Sequence, residues 1–329
     1  MVNRRIILFG LIIVLGLTVL TIGKSIMTNK LTADVDDIQI VRSDEEDITV
    51  MEEDGMRKTV MYFKNGDGYL VPVMRRIPWE EGIARTTLKN MIDSPELRES
   101  LSSTGLSPII PAGTEITGIS VNEETGLCKV DFSDAALNNE SQESEENFIK
   151  GVVYTLTEFP TIKEVQIVID GKKLETLAYG NNISQPIARK DINLIGKLEE
   201  GRSNVTVYYK GMSDNELEYF IPVTIPTLAP VANVYSALDL LFEGPPETTG
   251  LFSDIPKDIT LHGVEVKNGT AYVDISKDDS VEEVNDQAFT HIIKNIGLTL
   301  SQFKEIETVE LLIDGEIINT TIPVFANEY

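Results

Sequence analysis

The sequence predicts an α+β protein: an N-terminal transmembrane helix followed by two duplicated domains, each a mixed sheet with two helices on one face. Three observations carry this reading. The chain begins with a long uncharged apolar stretch, six short motifs recur in the same order about 145 residues later, and within each copy the apolar period switches between two and 3.6.

The apolar stretch is residues 6–23, IILFGLIIVLGLTVLTIG. As a helix its 18 residues span about 27 Å, close to the roughly 30 Å of a bilayer's hydrocarbon core. Arg4 and Arg5 precede it, so the positive-inside tendency leaves residues 1–5 as a cytoplasmic tip and sends the rest across the membrane. The sequence Gly23-Lys24-Ser25-Ile26-Met27 makes a poor cleavage site, and the only cysteine, Cys128, is far from a lipoprotein position. Residues 24–57 read as an acidic tether: positions 34–54 hold ten acids and a single base, Arg42.

The net charge of -25, from 28 Lys+Arg against 53 Asp+Glu, is unevenly spread. Residues 1–30 hold four bases and no acid, so the remainder carries 24 - 53 = -29. Such a chain repels the phosphates that supply most nucleic-acid affinity, so no nucleic acid is expected as a partner. One Cys excludes an internal disulfide, and one Cys with two His is too few for a zinc cluster.

The duplication is read from matched motifs. Val60-Met61-Tyr62-Phe63 answers Val205-Thr206-Val207-Tyr208-Tyr209, and Leu70-Val71-Pro72-Val73 answers Phe220-Ile221-Pro222-Val223. Ile92-Asp93-Ser94-Pro95 answers Phe242-Glu243-Gly244-Pro245, and Gly105-Leu106 answers Gly250-Leu251. Cys128-Lys129-Val130-Asp131-Phe132-Ser133 answers Ala271-Tyr272-Val273-Asp274-Ile275-Ser276, and Val168-Ile169-Asp170-Gly171 answers Leu312-Ile313-Asp314-Gly315. The period is too long for a solenoid, so each copy reads as a domain: residues 58–178, a linker at 179–202, and residues 203–329.

Each copy reads β-β-α-β-β-α-β-β. Val60 to Lys64 and Tyr69 to Val73 flank the turn Asn65-Gly66-Asp67-Gly68. A helix follows, clearest in copy two, where Val231, Val234, Tyr235, Leu238, Leu241 and Phe242 fall on one face before Gly244-Pro245-Pro246 stops it. The second strand pair alternates Cys128, Val130 and Phe132 with Lys129, Asp131 and Ser133, and copy two does the same with Ala271, Val273 and Ile275. The longer helix carries Phe148, Val152, Leu156 and Phe159, or Val281, Val284, Ala288, Ile292, Ile296 and Leu300. A last strand, Val165 to Ile169 or Val309 to Ile313, runs into Asp-Gly and a short return strand.

The residues able to do chemistry are few. Asp131 and Asp274 recur at one slot and face away from the core; they read as acceptors for nearby backbone amides, with catalysis the competing reading. Asp170-Gly171 and Asp314-Gly315 read as hairpin turns. His262 and His291 lie only in copy two, opposite Thr117 and Asn147, and read as half-buried structural residues. Cys128 reads as a small buried hydrophobe. The stretch 138–147 reads as a solvated loop, and Asp278-Asp279 as the acidic start of a helix, neither having a calcium-loop pattern. No catalytic, cofactor-binding or metal-binding residue is assigned, and no cofactor is expected.

The shared V-D-[FI]-S strand, the long amphipathic helix and the closing I-D-G strand resemble the GerMN domain, and their tandem arrangement behind a membrane signal resembles the GerM family of spore-forming bacteria. The resemblance covers about Lys58 to Pro323. It implies an extracytoplasmic sporulation or germination protein, a fold similar to the ring-building motifs of secretion machines, a role in assembling the channel between mother cell and forespore, and no catalytic residues. The family's bacillar members are lipoproteins, and this chain lacks their lipobox cysteine.

The expectation is therefore a non-enzymatic, single-pass scaffold whose C-terminal domains are extracytoplasmic. Its partners would be envelope or sporulation-channel proteins and other copies of itself. A peptidoglycan or cortex-binding module, using Trp79, Tyr69 and Tyr219 as sugar platforms, is the alternative. A wall hydrolase acting through Asp131 or Asp274 is the third.

Overall fold

The computed structural model describes residues 38–39, 55–78, 80, 82–198, 200–277, 286–313, 315–318 and 327–328. Residues 6–23, most of the tether, Trp79, Asp278-Asp279, Val281, Val284 and Asp314 lie outside them. Among the described residues no helix is long and apolar enough to cross a membrane.

A two-residue strand, β1 (Ile38–Gln39), precedes the first copy. That copy contains β2 (Met56–Lys64), β3 (Leu70–Pro78), α1 (Ile83–Lys89), α2 (Pro95–Leu101), β4 (Ile116–Asn122), β5 (Leu127–Phe132), α3 (Gln142–Leu156) and β6 (Glu164–Ile169), and β7 (Ile187–Ala188) follows. The second contains β8 (Asn204–Met212), β9 (Glu218–Pro226), α4 (Val234–Glu243), β10 (Ile259–Lys267), β11 (Thr270–Lys277), α5 (Asp286–Leu300), β12 (Thr308–Ile313) and β13 (Glu316–Ile318), and β14 (Asn327–Glu328) comes last. The class is α+β, as the alternating periods predict.

Each copy builds its mixed sheet around one parallel pair. The order β4-β5-β6-β7 has β5 parallel to β6, and β10-β11-β12 has β11 parallel to β12. A parallel pair needs a crossover, and α3 and α5 supply it. The alternation decides which side is buried: Cys128, Val130 and Phe132 are wholly inaccessible, and Phe132 meets Phe148 of α3 edge-on, ring centroids 5.5 Å apart.

One expectation is corrected by the topology. The opening hairpins do not join these sheets; β2–β3 and β8–β9 stand apart, and the helices touch both layers, α3 on β2 and β6, α4 on β8 and β10. The cause is local. On β2 the Tyr62 amide donates to Thr155 Oγ1 of α3 at 3.2 Å, and on β8 the Tyr208 amide donates to Thr299 Oγ1 of α5 at 3.2 Å. A helix threonine thus takes the donor that a further strand would have used.

Four element boundaries also differ from the sequence reading. α2 is an additional helix, with Ser94 accepting from the Leu97 amide at 3.1 Å and Pro95 at its first position. α3 ends at Leu156, leaving Phe159 buried in the loop beyond. α4 begins after Asn233, whose capping box with Ser236 fixes its phase, so its buried stripe is Val234, Ala237, Leu238 and Leu241 while Val231 and Tyr235 are exposed. In copy one the return strand shrinks to a single bridge between Ile169 and Lys172.

The stretch 138–147 is not simply a solvated loop. Its second half opens α3, with Ser141 capping the Ser144 amide at 3.1 Å, and Glu145 is fully buried. The Glu145 carboxylate accepts from the amides of Tyr179 at 2.8 Å and Asn181 at 3.1 Å and from Asn181 Nδ2 at 2.9 Å, pinning the loop after β6.

Candidate interaction site

The duplicated aspartates are held identically. Asp131 Oδ1 accepts from the Gly171 amide at 2.9 Å, and Asp274 Oδ1 accepts from the Gly315 amide at 3.0 Å. In copy one the turn residues Asp170 and Gly171 take φ of 48° and 74°, conformations for which Asp-Gly is suited. A carboxylate reaching across to such a turn satisfies an amide that the tight backbone leaves without a partner.

Opposite each aspartate the outer strand bulges, between Ile116 and Gly118 in copy one and between Leu261 and Gly263 in copy two. The bulged residues are Thr117, whose hydroxyl donates to the Asp131 carbonyl at 3.1 Å, and His262. His262 is not half-buried: its side chain is 66% exposed, with Nδ1 3.6 Å from Asp274 Oδ2. A bulge places two residues opposite one and interrupts the alternation from which burial is read. Cys128 is enclosed, and burial pushes its thiol up to about 12, so it is no nucleophile in the folded chain.

His291 joins a polar cluster of copy two that is centred on a buried lysine. Lys210, with a side chain only 3% exposed, lies 2.7 Å from Glu218, 2.6 Å from Asp254 and 3.1 Å from His291 Nδ1. The ammonium stands 5.3 Å from the Phe220 ring centroid, and Lys294 approaches the same ring at 4.9 Å. Burial, together with the charge of Lys210, holds the Lys294 ammonium below its ordinary range. In copy one Asn147 occupies the His291 slot and donates to the Gly68 carbonyl at 3.1 Å. The slot anchors the hairpin in both copies, by an ion cluster in one and a neutral amide in the other.

The seam between copies is built from residues that sequence reasoning passed over. Asn193 spans it: its Oδ1 accepts from the Leu70 amide at 2.8 Å while its Nδ2 donates to the carbonyls of Leu70 at 2.8 Å and Pro222 at 2.7 Å. Asn327 mirrors it, accepting from the Phe220 amide at 2.7 Å and donating to the carbonyls of Phe220 at 2.9 Å and Pro72 at 2.7 Å. Leu70 and Pro72 answer Phe220 and Pro222 in the repeat, so the two side chains are related as in a two-fold interface. Proline has no amide hydrogen, so a mid-strand proline offers only its carbonyl, which each asparagine takes. That pair of prolines was the signal available in the sequence.

The same seam absorbs two residues considered as sugar platforms. Tyr69 donates its hydroxyl to the Thr249 carbonyl of copy two at 3.0 Å, and Tyr219, 1% exposed, lies beside Asn65 of copy one. Tyr219 is enclosed and Tyr69 is half-buried. One apolar cluster runs through both copies.

One exposed surface is apolar and acidic. Leu228, Val231 and Tyr235 are 86%, 71% and 59% accessible at the entrance of α4, and Asp239 and Glu243 continue the exposed line from Tyr235 at four-residue steps. Among the described residues no group of three or more His, Cys, Asp or Glu stands close enough to hold a metal ion.

Comparison with known proteins agrees with this architecture. The family model described as "Germane: Sporulation and spore germination" matches residues 60–175 and again residues 206–319, one match on each copy. The spore germination protein GerM of Bacillus subtilis (strain 168) is 27% identical over 291 residues, covering 84% of this chain and 76% of its own length. The solved tandem GerMN domains of the sporulation protein GerM from Bacillus subtilis share the fold, with a TM-score of 0.69 at 24% identity over 83% of this chain and 99% of that one. With both copies matched in order, the chain belongs to the Germane family of sporulation and spore germination proteins.

Proposed function

We propose that this chain is a non-enzymatic scaffold of sporulation or germination, anchored by residues 6–23 with its two copies on the outer side of the cytoplasmic membrane, where it supports assembly of an envelope complex. The observation that carries the reading is the use made of the duplicated polar residues: each is engaged in holding a turn or the seam. Catalysis through Asp131 or Asp274 would require a carboxylate that is already the acceptor of a backbone amide in both copies. The exposed line of Leu228, Val231, Tyr235, Asp239 and Glu243 suits a partner surface that is apolar at one end and basic at the other.

Crosslinking and affinity capture of the full chain from sporulating cells test this. Envelope or channel proteins should be recovered with the parent chain and lost when Leu228→Asp and Val231→Asp are combined. Recovery of no envelope protein, under conditions that preserve known complexes, would overturn the reading. Membrane fractions stripped with alkaline carbonate should retain the chain if residues 6–23 span the bilayer.

A further inference from the structure

The strand closing the edge of the second copy comes from in front of the first. Backbone residues Ile38 and Gln39 pair antiparallel with Val309 and Thr308 of β12. In the first copy the corresponding edge, on β6, is closed in the same register, Ile187 opposite Val165 and Ala188 opposite Glu164. Two stretches of different origin therefore fill one slot in the repeated fold.

β7 runs directly into Arg189, whose guanidinium donates to the Tyr154 carbonyl at 2.9 Å and to Thr157 Oγ1 at 2.7 Å and pairs with Glu158, so this filler is locked to its own copy. Among the described residues β1 contributes two residues of ladder, and β13 occupies the same edge of β12 from Leu311 onward. An edge closed by a strand from a separate stretch of chain has the character of a strand-acceptor site. The stretch 40–55 that connects β1 to β2 has 16 residues, a reach of up to roughly 55 Å when extended.

We propose that the β12 edge at Thr308 and Val309 is a strand-addition site for residues 38–39 of a second copy of this chain, the pairing within one molecule and the exchange between molecules being alternative uses of one contact. Exchange reproduces the same backbone bonds, so the balance is set by linker entropy and local concentration. Donor and acceptor lie on different parts of the molecule, which makes the contact head-to-tail and able to form rings or open chains. This deepens the scaffold reading by naming a partner and depends on that reading only for its biological setting.

The test uses full-length chains in a Cys128→Ala background, the counterpart of Cys128 being Ala271. One chain carries Gln39→Cys and one tag, the other Thr308→Cys and a second tag; they are co-expressed in membranes, oxidised and separated without reductant. A disulfide dimer bearing both tags is expected, reduced at least tenfold when Ile38→Pro is added to the donor chain. Melting temperatures matching the parent's show that a lost dimer reflects a lost contact and not a lost fold. With both cysteines in one chain, crosslinks confined to single molecules at membrane density would overturn the exchange. A two-tag dimer undiminished by Ile38→Pro would also overturn it. No crosslink of either kind would overturn the site itself. A failed capture of envelope proteins leaves these outcomes untouched.

Discussion

Asp131 and Asp274 show what a carboxylate does when its neighbour is a turn amide. Each accepts from the amide of the glycine just beyond the following parallel strand, Gly171 or Gly315, at 2.9 and 3.0 Å. Asp→Ala at either position should lower stability by about 1–2 kcal/mol, because the amide loses its acceptor while partly reached by water. Asp→Asn retains an Oδ1 acceptor and should cost less than half as much, with urea titration of both variants as the check. A catalytic role predicts the opposite ranking in cells: Asp→Asn would abolish function in a protein that remains folded. The aspartates' direction was legible because strand alternation places Asp131 opposite Val130 and Phe132. His262 was not legible in this way, since a bulge between Leu261 and Gly263 breaks the alternation and turns the imidazole outward. Asn193 and Asn327 gave no signal of their own: they stand 134 residues apart, whereas the equivalent strand residues they hold, Leu70 and Phe220 or Pro72 and Pro222, stand 150 apart.

Elements were legible wherever the apolar period ran long enough to reject alternatives, as in β5, β11 and the two crossover helices. α2 was missed because Ser94-Pro95 aligns with Gly244-Pro245, and one residue changes what the dipeptide does. Serine caps a helix that proline begins; glycine at φ 87° ends one. The phase of α4 was likewise set by its cap, which the run from Val231 to Phe242 does not reveal. Buried Glu145 carries a further element-scale consequence. Its carboxylate is the acceptor for two amides and a side-chain amide of the Tyr179–Asn181 turn, so Glu145→Ala should cost about 2–3 kcal/mol by leaving those donors without partners. The loss should be local in its first appearance: amide hydrogens of residues 177–183 should exchange faster at denaturant concentrations that leave β5 and β6 protected. Uniform acceleration throughout copy one would contradict that placement.

At the scale of the molecule the repeat is a pair locked face to face, and the lock can be tested in two ways. Removing both amides of the seam, with Asn193→Ala and Asn327→Ala together, leaves the carbonyls of Pro72 and Pro222 without these donors; thermal unfolding should separate into two transitions where the parent shows one. A single unchanged transition would mean that the apolar cluster alone couples the copies. The second test follows from the phenols at the seam. Tyr62 donates to Glu158, Arg189 lies 5.0 Å from the Tyr154 ring centroid and pairs with Glu158, and Tyr208 of copy two feels the charges of Glu158 and Arg189. Burial first, and then the Glu158 charge, hold the Tyr62 and Tyr208 hydroxyls well above their ordinary 10.0; burial pushes Tyr154 up to about 12. A phenol that ionises at about 10 when unfolded and near 12 when folded stabilises the native state fully below pH 10. Above pH 10 the unfolded chain releases protons that the native chain retains, so stability should fall progressively between about pH 10 and pH 12. Tyr208→Phe keeps the ring and removes one such proton, and should flatten that decline by roughly 1–3 kcal/mol over the interval. Urea midpoints measured from pH 8 to pH 11.5 decide it, with tyrosinate absorbance on the native protein as the companion reading. Ionisation of all ten tyrosines near pH 10 without unfolding would show that the seam is wet and the lock loose.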